Sequence, residues 1–274
     1  MVGAALAVEL VAGIALIGQS SAPPPPVSTA ATVPSSIVVD GRTVRFIAFG
    51  GLANAALLNR IAAEIGDAVD AVSAFWGQDW QHDILIVATA TDEQFAAQGG
   101  PGRQGADVAA VTVADQVDPV RRTAVGQRIV FAPGAAAMTD AALRIVVRHE
   151  LFHYAARIDT APDAPQWLTE GVADYVGRTD TPAPGPDALP ARLPTDAELD
   201  TAGQQRSSAY DRAWWFARFV ADTFGPPALR RLYLRSCGPG HPDPATAVPE
   251  SLGVAMPDLP ARWGDWLSGY IKRS

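Results

Sequence analysis

"RHELFHYAAR", residues 148–157, sets His149 and His153 four positions apart with Glu150 beside the first of them. On an α-helix, positions i and i+4 stand on one face on the order of 6 Å apart, so both imidazoles can reach a single point. A zinc ion suits that pair. With three protein ligands and one open position it can acidify a water, and a neighbouring carboxylate can take the proton as the oxygen attacks a carbonyl. Glu150 is the residue placed for that general-base role. The bland alternative is a surface helix with two histidines; only four histidines exist in the chain, at 82, 149, 153 and 241.

The next segment weighs against the bland reading. "PQWLTEGVADYVG", residues 165–177, reads as a second helix, with proline favoured in the first turn and glycine just past the last. Trp167, Glu170 and Asp174 share one face of it, so Glu170 can supply the third metal ligand. Asp174, one turn on, can accept the other ring N–H of a ligand histidine and fix its tautomer. Gly171 costs about 1 kcal/mol of helix propensity relative to alanine, a cost understandable where two helix backbones approach closely.

Upstream, "SIVVD" and "TVRFIAF" flank Asp40-Gly41, a dipeptide favoured in tight hairpins. Helical spacing follows from Leu52 to Phe75 and ends at Trp76-Gly77. β-rich runs begin at Asp83, Asp107 and Gln127, so a sheet of about five strands is expected, and the motif helix starts under a Thr139 or Asp140 cap. Downstream, "TDTPAPGPDALPARLP" breaks regular structure and reads as a loop. Helical spacing returns from Ser207 to Phe224, with further helices around Leu229 and Trp263. The class is α+β, with the helices concentrated in the second half.

The first 18 residues are apolar except for Glu9, and a Pro/Ser/Thr/Ala-rich linker follows. Residues 1–22 read as a signal peptide or membrane anchor, with a buried core helix as the alternative, and residues 23–36 as linker. The expected localisation is secreted or membrane-anchored, outside the cytoplasm, with residues 1–18 as a possible tether. At 274 residues with 48% hydrophobic residues the chain can bury a sizeable core. A net charge of -8 argues against nucleic acid as a partner, because that affinity comes from lysine and arginine on phosphates. Cys237 is the single cysteine, which excludes an intrachain disulfide and a cysteine-rich metal cluster.

"HELFH" followed by "WLTEGVADYV" resembles the gluzincin metallopeptidases, in particular their peptidase MA-like branch; a looser likeness runs from about residue 40 to the C-terminus. The resemblance implies a zincin-like fold for residues 37–274, with a small mixed sheet and the active-site helix in a lobe of about 37–157 and a mostly helical lobe of about 158–274. It implies a zinc-dependent peptidase acting on a peptide or protein, with the site between the lobes. Tyr210, in "SSAYDRAWW", looks like the family's downstream tyrosine that supports the oxyanion, with His241 as second choice.

A rival third ligand is Asp159, at the position where the metzincin group completes H-E-x-x-H-x-x-G-x-x-H or its aspartate form. That pattern needs glycine at the turn, where this chain has Ala156, and Met256 is the only methionine after the motif. The expectation is therefore a zinc peptidase with His149, His153 and Glu170 as ligands, Glu150 as base, Asp174 orienting a ligand and Tyr210 as catalytic donor. Two alternatives stand beside it: a non-catalytic zincin-fold binding protein at the cell envelope, and a zinc hydrolase of a non-peptide substrate.

Overall fold

The computed structural model describes residues 33–99, 108–178, 191–201 and 203–271. The leader, most of the linker and the Pro-rich stretch 179–190 lie outside the described residues; β1 begins at Ser36, where the expected linker ends. The class is α+β, and the helices do concentrate in the second half.

β1 (Ser36–Val39) and β2 (Arg42–Ala48) form the expected antiparallel hairpin. Asp40 and Gly41 both adopt positive φ, 45° and 73°, as a two-residue turn matched to strand twist requires. β3 (Asp83–Ala88) runs parallel to β2, β7 (Arg128–Phe131) parallel to β3, and β4 (Ala110–Val113) antiparallel to β7. The five strands lie in the order β1-β2-β3-β7-β4, a mixed sheet whose two outer strands are the antiparallel ones. Two three-residue strands, β5 (Gln116–Asp118) and β6 (Thr123–Val125), make a separate ribbon that the sequence reading missed, since three residues are too few to show an alternating pattern.

α1 (Leu52–Trp76) fills the connection between β2 and β3, and its buried stripe of Leu57, Leu58, Ile61, Ile65, Val69 and Val72 recurs at helical spacing. Each such side chain contributes about 1.5–3 kcal/mol on burial. Along β3, Ile84, Ile86 and Ala88 face this main core, while Val87 points the other way. There it packs with Phe95 from α2 (Asp92–Gly99) and with Val111, Val113 and Val130.

α3 (Asp140–Ala156) carries the quoted motif. Its cap is Thr139, whose hydroxyl accepts from the Ala142 N–H at 3.2 Å. α4 (Gln166–Gly177) follows as expected, then α5 (Asp196–Asp200), α6 (Gln204–Phe224), α7 (Pro226–Cys237), α8 (Pro244–Leu252) and α9 (Leu259–Ile271). α6 begins three residues before the expected Ser207, and α2, α5 and α8 are additions to the sequence reading. One apolar core runs from Val44 to Leu267 and joins sheet and helices. Trp76, Phe152 and Tyr233 meet edge to face at centroid distances of 5.2–5.5 Å, tying α1, α3 and α7 together immediately behind the two histidines. No helix among the described residues is long and apolar enough to cross a membrane.

Candidate metal centre

α3 and α4 face each other because glycine removes the side chains that would keep the helices apart. A Cβ on Gly177 would stand 3.0 Å from the Ile145 carbonyl oxygen and 3.5 Å from the His149 Cβ, so the close approach of α4 to α3 falls at the first histidine. A Cβ on Gly171 would meet the Ala213 carbonyl oxygen at 2.5 Å, so the close helix neighbour anticipated for this glycine is α6.

Between the helices, His149, His153 and Glu170 converge. Their donor atoms all lie within 4.8 Å of one another, and all three residues are buried. The Nε2 atoms of the two histidines are 3.0 Å apart; Glu170 Oε2 is 3.3 Å from His149 Nε2, and Oε1 is 3.8 Å from His153 Nε2. Two imidazole nitrogens and a buried carboxylate that converge in this way are a donor set suited to one shared cation. Neither Glu170 oxygen has a hydrogen bond of ordinary geometry. Buried polar atoms without partners are costly, and a shared cation satisfies all three residues at once. The group can hold a metal ion.

The electrostatics agree with that arrangement. Burial resists protonation of His149, but the hydrogen bonds and charges of Asp174 and Glu170 outweigh it and raise the ring to about 10. His153 is held well below the ordinary histidine value by burial, then by His149 and Arg157. Burial raises the Glu170 carboxyl, against the pull of His149 and of the Tyr210 side chain.

Glu150 is fully buried next to this group, and burial raises its carboxyl to about 7. Its Oε2 accepts from the Thr112 hydroxyl at 2.7 Å, while Oε1 has no partner. Thr112 sits on β4, the outer strand alongside α3, and its hydroxyl is also 2.8 Å from the Glu150 carbonyl oxygen. Nothing in "DVAAVTVAD" marks that threonine; the register of β4 against α3 creates the contact.

Asp174 meets His149 Nδ1 at 2.9 Å through Oδ1, the geometry that presents Nε2 toward the shared point. Its other oxygen pairs with Arg178 at 2.8 Å, and Arg178 reaches Asp211 at 2.9 Å. Arg178 and His149 hold the Asp174 carboxyl below its ordinary value despite full burial. Arg178 was overlooked in the sequence, although its i+4 spacing from Asp174 on α4 was the available signal.

Tyr210, on α6, is buried, and its side chain lies close enough to Glu170 to favour the ionised carboxylate. Asp159 lies outside the group: its carboxylate pairs with Arg122 at 2.7 Å. His241 lies outside it too, with Nε2 3.5 Å from Asp163 and Nδ1 near the Pro242 carbonyl. Compared with protein-family models and with curated proteins, the chain matches none.

Proposed function

We propose that the protein is a zinc-dependent peptidase of the gluzincin type, a zincin-like fold in which His149, His153 and Glu170 hold the ion. The observation that supports this most is the convergence of two imidazole Nε2 atoms and a buried carboxylate, with the bare Oε1 of Glu150 beside them. Two nitrogens and one carboxylate oxygen are a donor set that zinc takes when a further position is left open for chemistry. When bound, the ion supplies Lewis acidity and lowers the pKa of water it holds.

The chain's own residues would do the rest. Glu150 Oε1 takes the proton from water, since Oε2 is already engaged by Thr112. A carboxyl poised near 7 can both accept a proton and return it to the leaving amine. Asp174 holds the His149 ring so that Nε2 faces the ion, and Arg178 keeps Asp174 ionised. Tyr210, beside Glu170, is the proposed donor to the oxyanion. Export or membrane tethering through residues 1–22 belongs to the same proposal.

The test is hydrolysis of a mixed peptide library by the zinc-loaded protein and by Glu150→Gln. Cleavage by the wild type, lost in a variant that still holds zinc, supports the reading. Turnover of esters but not peptides would move it to a non-peptide hydrolase, and no turnover of either would leave the zincin-fold binding protein.

A further inference from the structure

Arg157, one helical turn beyond His153, is buried with only 5% of its surface exposed. The two other arginines buried as deeply among the described residues each meet a carboxylate: Arg42 pairs with Asp40 at 3.3 Å and Arg212 with Glu198 at 2.8 Å. Among the described residues Arg157 meets none and makes no side-chain hydrogen bond, and its Nε is fully enclosed and unpartnered. The nearest acid in sequence, Asp159, turns to Arg122 instead. The partial negative charge at the C-terminal end of α3 offsets only part of the cost of enclosing a guanidinium. An uncompensated buried charge is costly, and an anion brought by a ligand would offset that cost.

His149, His153 and Arg157 succeed one another at four-residue steps, so Arg157 continues the stripe of α3 that carries the ligands, about 6 Å further along the axis. Tyr233 and Thr160, hydrogen-bonded to each other at 2.8 Å, supply polar neighbours from α7 and the turn after α3.

We propose that Arg157 anchors a carboxylate of the bound peptide, through the paired N–H donors that a guanidinium offers to two carboxylate oxygens. The anchor makes the centre selective for substrates that present a carboxylate within about one helical turn of the scissile bond. It rests on the peptidase reading above, but it concerns binding and can be tested without turnover.

The experiment immobilises zinc-loaded Glu150→Gln protein, with and without Arg157→Met, and measures retention of three randomised hexapeptide pools. The first has free C-termini and no Asp or Glu; the second is its C-terminal amide; the third is an amide pool containing Asp and Glu. The anchor predicts about tenfold enrichment of a carboxylate-bearing pool over the second pool, abolished by Arg157→Met. Enrichment of the first pool assigns the carboxylate to the chain terminus, and of the third to a side chain. Equal retention of all pools, or enrichment that survives Arg157→Met, overturns the anchor. Without any peptide, Arg157→Met should leave Tm unchanged or raise it, because an apolar side chain replaces an unpaired charge. A fall of several degrees would mean that the guanidinium holds the fold together, which also overturns the proposal. Absence of hydrolysis by the wild type, with enrichment intact, would remove the peptidase reading and leave the anchor standing.

Discussion

His149 Nδ1 stands 2.9 Å from Asp174 Oδ1, and both residues are fully buried. That contact fixes which ring nitrogen faces Glu170 and His153, so a residue outside the donor set decides whether the set can close on an ion. Arg178, paired with the other Asp174 oxygen, makes the arrangement a chain of three residues that reaches Asp211 on α6.

Asp174→Asn keeps the shape but removes the charge that His149 and Arg178 both meet. The expected outcome is zinc affinity weakened about 10- to 100-fold, read by competition with a coloured chelator. Affinity equal to wild type would mean that His149 is oriented by packing alone.

Gly171→Ala sets two effects against each other. Alanine gains about 1 kcal/mol of helix propensity. The added Cβ, however, would stand 2.5 Å from the Ala213 carbonyl oxygen, a backbone atom that cannot swing aside. Overpacking of this kind costs about 1–3 kcal/mol, so the variant should be less stable than wild type in urea unfolding. A more stable variant would show that α4 and α6 can part without loss.

A pH dependence is built into α5. Hydrogen bonding to Arg192, together with the Thr195 backbone and Arg212, holds the Glu198 carboxyl down at about 2, below its ordinary 4.5. A depressed carboxyl contributes stability that is present above its unfolded value and is lost as pH falls through the folded one. The Tm difference between wild type and Glu198→Gln should therefore be full at pH 7 and shrink between about pH 4.5 and 2. A difference that stays constant over that window would rule out the ion pairs as its source.

Much of the architecture was legible because its signals are local. The turn at Asp40-Gly41, the stripe along α1, the Thr139 cap and the proline-to-glycine span of α4 each follow from residues a few positions apart. His149, His153, Glu170 and Asp174 were legible for the same reason, since each lies on one helix face at fixed spacing, and the structure brings the four together. Thr112 and Arg157 were not. Thr112 matters through the register of β4 against α3, and Arg157 matters because no carboxylate among the described residues pairs with it; both depend on tertiary packing. The β5-β6 ribbon escaped because each of its strands is only three residues long. α8 escaped because Pro249 lies inside it, a residue that ordinarily argues against a helix.

The most direct test of the metal centre is elemental analysis of protein purified without a histidine tag, for wild type and His153→Ala side by side. The arrangement of His149, His153 and Glu170 predicts about one zinc per wild-type chain and little in the variant. Wild-type protein that carries no metal after incubation with zinc and dialysis would contradict it, and the peptidase reading would fall with it.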